Sequence, residues 1–462
     1  MHARLHGRVS SARSGNGLGE SEQAMPSKCI LVILDGLGDR SYECFSRKTP
    51  LQAARTPVLD SLAIRGASGL YHAAAIGEAL PSEIAHFLLF GYCMDDFPGR
   101  GVLEALGAGV PLNRQDVAVA AHVACVQESD GCLFLKKDKV KACEEEIRRV
   151  VDTIRTYTTD NNIHMSFART KGSFGVLTLQ GAVSPFFTDS NPMLDGSPLM
   201  EVLPFREYRD DPASITAANA LRQYIVWAYR RLCDHPVNTA RKKAGKPPLN
   251  GVVTQRAGRL KDVTSFTERY DLRGLTIASG AVYAGLAEYL GLDVNKVSDS
   301  GDPGHDITER LMTAREALRD YDFIHVHTKG PDEAAHTKNP WNKKQTIEAL
   351  DSGIGRAIEL FTNDPEVLLV VTADHATPSS GPLIHSGEPV PLTMCGSGVR
   401  VDGVQRFDEV SVAGGAIGCV RGGELMAMVL NCLDKTKLRG IMDTPVDQPY
   451  WPGKYEPFRI ER

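Results

Sequence analysis

The chain has 462 residues, of which 42% are hydrophobic and 24% charged, with a formal net charge of −5. That balance gives no electrostatic case for a nucleic-acid partner, and no apolar run approaches the ~20 residues that a membrane span requires. Ten cysteines without a Cys-x-x-Cys pair argue against a zinc knuckle and fit a reducing compartment, and the length favours two domains over one core.

Met1 to Gly19 contain Arg4, Arg8 and Arg13, several serines and no acidic residue. A flexible leader over residues 1–25, a mitochondrial transit peptide and a start site placed too early, with Met25 as the true start, all fit this composition. The expected compartment is the cytoplasm, or the mitochondrion if residues 1–24 act as a transit peptide.

The first element is the apolar run Cys29 to Leu34, a buried strand that empties through Asp35 into the turn Gly36-Leu37-Gly38-Asp39-Arg40. Asp35 therefore sits at the C-terminal edge of a sheet, where open α/β sheets form ligand crevices, although a strand-end Asp is also a common turn former. A helical pattern begins next to Ser82 and stops at Gly91. This puts the Ser82 hydroxyl at a helix N-terminus, which favours an alkoxide or a phosphoryl group and equally suits an ordinary capping serine.

Val117 to Val126 and Gly175 to Leu179 read as strands, and Lys141 to Tyr157 and Ala217 to Leu232 as helical runs. The basic stretch Arg241 to Pro248 reads as a solvated loop. The parent sheet resumes near Leu272, and His305 and Asp306 read as turn formers. Phe323 to His327 is a further strand, after which Asp332 and His336 lie four apart on one face if a helix begins there, close enough to grip one ion. Val367 to Thr372 has the apolar density of a central parallel strand, with Asp374 and His375 at its end. His385 follows in a loop rich in Gly and Pro.

Three strand ends and one loop thus deliver oxygen and imidazole ligands beside a serine. Coordination to a metal is one of the few ways to activate a serine hydroxyl near neutral pH. The matching segments are Ile33 to Arg40, Thr49 to Ala54, Thr56 to Asp60, Leu88 to Tyr92, Gly99 to Ala105, Asp332 to His336, Ala373 to His375 and His385 to Pro391. Through them the chain resembles the alkaline phosphatase superfamily and, within it, the archaeal-type cofactor-independent phosphoglycerate mutases.

The resemblance implies an α/β core with a mainly parallel sheet flanked by helices, spanning 26–112 and 265–462. A smaller α+β substrate domain would be inserted at 113–264, with hinges near Pro111 to Arg114 and Arg256 to Thr264. It assigns Asp35, Ser82, Asp374 and His375 to one divalent ion and Asp332, His336 and His385 to a second. Mn²⁺ is the first expectation, and Zn²⁺, Co²⁺ or Mg²⁺ also suit such ligands. Ser82 would take a phosphoryl group from a bound phosphoglycerate and return it to the neighbouring hydroxyl, so no bisphosphoglycerate is needed. The partner is a small phosphorylated metabolite, and the oligomeric state stays open.

The inserted segment departs from the family pattern. Where the mutases carry an Arg after Asp-Val-Ala-Phe and a later Arg-Arg-Ala-Gly-Arg run, this chain has Asp116 to His122 and then Leu135-Lys136-Lys137-Asp138-Lys139. Lys136 and Lys137 become the expected substrate contacts in place of a bidentate arginine clamp. Arg256, Arg259 and Lys329 are further basic candidates, and Asp189 lies in a Thr188 to Pro192 segment that resembles a family motif. Besides the mutase reading, a phosphatase or other phosphotransferase on the same scaffold and an inert binding subunit remain as alternatives.

Overall fold

The computed structural model describes residues 25–460, so the expected leader lies outside the described residues apart from Met25. Among these residues fourteen strands divide between two sheets. The chain opens with β1 (Lys28–Leu34) and β2 (Ala67–His72). It continues through β3 (Val117–Ser129), β4 (Cys132–Lys137), β5 (Thr156–Thr158), β6 (His164–Arg169), β7 (Phe174–Gln180) and β8 (Gly251–Gly258). It returns with β9 (Gly274–Ala278), β10 (Asp293–Lys296), β11 (Phe323–Thr328), β12 (Val367–Thr372), β13 (Val390–Cys395) and β14 (Gly418–Arg421).

The larger sheet runs β10-β9-β11-β1-β12-β13-β2-β14, with β1 parallel to both β11 and β12 and only β13 antiparallel to its neighbours. β1 is buried from Cys29 to Leu34 without alternation, as a strand covered on both faces must be. Each of its Ile, Leu and Val side chains contributes about 1.5–3 kcal/mol by leaving water. This is the mainly parallel core that the resemblance implied.

The second sheet is antiparallel, in the order β4-β3-β7-β6-β5, and β8 also pairs with β3. Its own apolar cluster includes Val119, Leu177, Leu221 and Tyr224, and joins the sheet to the helix Pro212–Cys233. The expected helix over Lys141 to Tyr157 is shorter, Glu144–Thr153, because Thr156-Tyr157-Thr158 pairs with β6 instead. Two β-branched residues around a tyrosine suit a pleated edge better than a helix end.

Three local expectations change. Arg241 is buried in the helix Pro236–Lys243 rather than solvated. Its guanidinium holds the Pro247 and Lys141 carbonyls at 2.8 and 2.9 Å and pairs with Glu146 at 2.7 Å. Arg256 to Gly258, the start of the expected second hinge, belong to β8, which meets β3 again at Gly258 after a register shift. His305 and Asp306 stand in the first turn of the helix Pro303–Ala317, which Asp302 caps.

Candidate active site

β1, β11 and β12 end side by side, and their following loops carry the polar residues. Asp35 leaves β1 with its N–H on the Thr328 carbonyl at 3.0 Å, and its own carbonyl accepts the Asp332 N–H at 3.0 Å. Gly36, at φ +66°, allows the two loops to meet, because a Cβ there would stand 2.6 Å from Thr377 Oγ1 and 2.8 Å from Asp332 Cβ. Asp332 and His336 share one face of the helix Gly330–His336, with Nε2 3.2 Å from Oδ1. The spacing of four therefore has the predicted result.

Ser82 is the first residue of the helix Ser82–Leu89, where the helix dipole favours negative charge. Its Oγ lies 2.9 Å from His375 Nε2 and 3.5 Å from Lys329 Nζ. The hydrogen bonds fix two histidine tautomers. Thr377 Oγ1 donates to Asp332 Oδ1 at 2.9 Å, so His375 must donate through Nδ1 to the same hydroxyl at 3.1 Å. His385 donates through Nδ1 to the Leu80 carbonyl at 2.7 Å. Both rings thus turn an Nε2 lone pair toward the carboxylates, as a metal ligand requires.

The carboxylates show the complementary feature. Asp35 Oδ1 and Asp374 Oδ2 are buried with no hydrogen-bond partner. Asp35 Oδ2 accepts from Tyr283 Oη at 2.6 Å and lies 2.9 Å from His327 Nε2, and Asp374 Oδ1 accepts the Gly36 and His375 N–H groups at 3.0 and 2.9 Å. A buried carboxylate oxygen is costly to leave bare, so this donor set fits divalent ions. Among the described residues two groups have ligand atoms close enough to hold an ion, Asp332 with His336 and His385, and Asp35 with Asp332 and His375. Asp332 therefore stands between the two clusters rather than in one.

The described chain matches the family model for the metalloenzyme superfamily over residues 27–432. A 2,3-bisphosphoglycerate-independent phosphoglycerate mutase of Methanocaldococcus jannaschii is 39% identical over 425 residues, covering 90% of this chain and 95% of the relative. The chain belongs to this family of phosphoglycerate mutases within the metalloenzyme superfamily. A mutase of Methanopyrus kandleri is 33% identical over 89% of this chain and 98% of its own. Among solved structures, a Pyrococcus horikoshii protein matches with a TM-score of 0.73 at 29% identity, over 90% of this chain and all of that one. The cofactor-independent phosphoglycerate mutase of Thermoplasma acidophilum matches with a TM-score of 0.59 at 27% identity, over 88% of this chain and all of that one.

In this mutase-family chain the buried charges sit within a few ångströms of one another. Burial alone would raise the Asp35 carboxyl, but Lys329 and the His327 hydrogen bond hold it well below the usual carboxylate range despite Asp332 nearby. Lys329 is opposed by burial and nevertheless stays charged, because Asp35, Tyr283 and Asp332 surround it. Its Nζ lies 3.0 Å from both Tyr283 Oη and Asp332 Oδ2. Burial pushes His327 down to about 4, which leaves it neutral beside Asp35.

A cavity of about 570 Å³ opens above Ser82, Lys329, His336 and His385, and β3, β8 and the turn after β4 close it with His122, Asp138, Lys139, Gln255 and Arg256. Lys136 and Lys137 do not line it. Lys137 pairs with Asp195 at 2.7 Å on the exposed side, and Lys139, past the end of β4, reaches the cavity instead. Arg259 is also turned away, with its guanidinium on the Val183 carbonyl. Asp189 acts behind the wall, accepting the Arg256 N–H at 2.6 Å. Arg256 itself lines the cavity and pairs with Glu83.

The residues that sequence reasoning missed are Tyr283, His327, Glu83 and His122. Only His327 carried a signal, as a polar residue alternating with Ile324 and Val326 in a strand buried throughout.

Proposed function

We propose that this chain interconverts 3-phosphoglycerate and 2-phosphoglycerate without added bisphosphoglycerate, with Ser82 storing the phosphoryl group between two half-reactions. The observation that carries the reading is Ser82 itself. It stands at the focus of the buried acids and imidazoles in a chain related over nearly its whole length to enzymes named for that reaction.

Asp35, Ser82, Asp374 and His375 would hold one divalent ion and Asp332, His336 and His385 the other, with Asp332 bordering both. Such ions, Mn²⁺ for preference and Zn²⁺, Co²⁺ or Mg²⁺ as alternatives, supply positive charge that lowers the pKa of a serine hydroxyl. In the first half-reaction Ser82 Oγ forms a bond to phosphorus, and the bond from phosphorus to the substrate oxygen breaks, leaving glycerate. Lys329, 3.5 Å from that Oγ, offers an ammonium to the charge that develops. Arg256 and Lys139 face the same space and suit the substrate's anionic groups. After the glycerate turns, its other hydroxyl oxygen attacks the phosphoserine and Ser82 Oγ leaves.

On this reading residues 26–112 and 265–462 form the metal-binding part, and residues 113–264 the substrate domain. No helix among the described residues is long and apolar enough to cross a membrane. The working compartment is the cytoplasm, or the mitochondrion if residues 1–24 direct import.

The test pairs two measurements. Protein loaded with Mn²⁺ and given 3-phosphoglycerate should produce 2-phosphoglycerate by phosphorus NMR. Ser82→Ala should abolish the phosphoenzyme, while calorimetry still detects metal binding. Continued turnover by Ser82→Ala would remove the serine from its role. Release of inorganic phosphate without isomer would favour a phosphatase, the reading to which the missing arginine clamp lends weight.

A further inference from the structure

Glu83 follows the nucleophile directly and is 2% exposed, yet it is charged and faces the cavity. One of its oxygens pairs with Arg256 Nη1 of β8, and the other lies 3.5 Å from Arg100 Nη1. Arg100 Nε in turn pairs with Glu104 at 2.6 Å. The result is an alternating row, Glu104-Arg100-Glu83-Arg256, that runs from the larger sheet's helices onto the second sheet, and all four members line the cavity.

Arg256 is strained in its backbone and held at two points. Its backbone takes a left-handed conformation, φ +50°, which is unfavourable for a non-glycine residue and persists only when surroundings impose it. Asp189 fixes its N–H, and Glu83 fixes one guanidinium nitrogen. The side chain keeps 29% exposure toward the cavity it lines, so part of the planar fork stays available to an incoming anion.

We propose that Glu83 is a positioning residue, which aims Arg256 across the boundary between the two sheets so that the substrate's anionic group is received beside Ser82. The alternative physical outcome, in which Glu83 competes with the substrate for the arginine, predicts the opposite sign. Pre-organisation of a rotamer-rich side chain lowers the free-energy cost of binding, whereas a competing carboxylate raises it. The inference rests on the reading that this cavity takes a phosphorylated anion.

A double-mutant cycle on full-length, Mn²⁺-loaded protein tests it, with KM and kcat for 3-phosphoglycerate and the calorimetric affinity for inorganic phosphate measured in each variant. Arg256→Ala and Glu83→Gln should each raise KM and weaken phosphate binding by on the order of tenfold, with a smaller change in kcat. In the Arg256→Ala background, Glu83→Gln should add less than about twofold, because its effect passes through the arginine. Glu83→Asp, which withdraws the charge by one methylene, should move KM the same way with smaller amplitude, and it carries the test if the Gln variant does not fold.

Equal losses in both backgrounds, or a KM that falls on neutralising Glu83, would overturn the proposal. If the wild type fails to isomerise 3-phosphoglycerate, the functional reading fails while the phosphate-binding cycle still decides the role of Glu83.

Discussion

Asp35 divides its two oxygens between different duties. Oδ2 accepts from Tyr283 at 2.6 Å and faces His327 at 2.9 Å, and Oδ1 is left bare. One oxygen of the carboxylate is thereby left free for the proposed ion, and burial keeps the Tyr283 phenol protonated and donating. Removing that donor frees the carboxylate to rotate, and residues supporting a ligand in this way typically contribute 10–100-fold in metal affinity. Tyr283→Phe is therefore expected to weaken Mn²⁺ binding by roughly tenfold in calorimetric titration of chelator-treated protein, with little change in unfolding midpoint before metal is added. An unchanged affinity would show that His327 and Lys329 hold the carboxylate without the phenol. Asp35 was readable because an apolar run stops at it. Tyr283 was not, because it reaches Asp35 across 248 residues of sequence from an otherwise unremarkable helix, Ala281–Leu290.

Loops between elements are held by buried charge as well as by apolar packing. Lys343 is fully buried and donates to the Gly38 and Thr377 carbonyls, both at 2.8 Å, which ties the loops after β1 and β12 together. The half-buried Asp402 joins β2 to the loop before β14, accepting N–H groups of Ser68 at 2.7 Å, Ala416 at 2.9 Å and Val404 at 3.0 Å. Burial opposes its charge, but these three donors outweigh burial and lower its pKa. A carboxyl lowered below its unfolded value of about 3.9 contributes stability above that pH and loses it as pH falls through the folded value. Asp402→Asn is expected to cost about 1–3 kcal/mol in urea unfolding at pH 7, since an amide cannot accept on both sides. The gap to wild type should narrow at pH 3, and a gap of equal size there would exclude the charge as its source. The lysines at the end of β4 and just past it show where reading elements from sequence falls short. Strand alternation and the turn that follows decide which of Lys136, Lys137 and Lys139 faces the cavity, and composition alone does not distinguish them. The strands ending at Asp35 and Asp374 were readable because burial on both faces leaves an unbroken apolar run.

At the scale of the whole molecule, the question is what fixes the second sheet relative to Ser82. The two connecting segments are joined by Arg114 and Asp262 at 2.5 Å, but both side chains are more than 70% exposed, and such pairs contribute at most about 1 kcal/mol. Backbone packing does more. A Cβ on Gly258, at the end of β8, would meet the Pro98 carbonyl at 1.9 Å, and one on Gly101 would meet the Ala118 carbonyl of β3 at 2.3 Å. The second sheet therefore rests directly on the segment that leads into the helix Arg100–Gly107, and the Arg259 N–H adds a 2.9 Å bond to the same Pro98 carbonyl. Gly258→Ala must push β8 outward, carrying Arg256 and Gln255 away from the nucleophile. A displacement near 1 Å can cost up to about 100-fold in a reaction that depends on placement, so kcat/KM for 3-phosphoglycerate is expected to fall by at least roughly tenfold. Mn²⁺ affinity should stay within about twofold, because the proposed carboxylate and imidazole ligands all lie in the loops and helix after β1, β11 and β12, away from β8. Parallel losses of metal and activity would mean that the contact supports the metal centre itself rather than the position of the substrate wall.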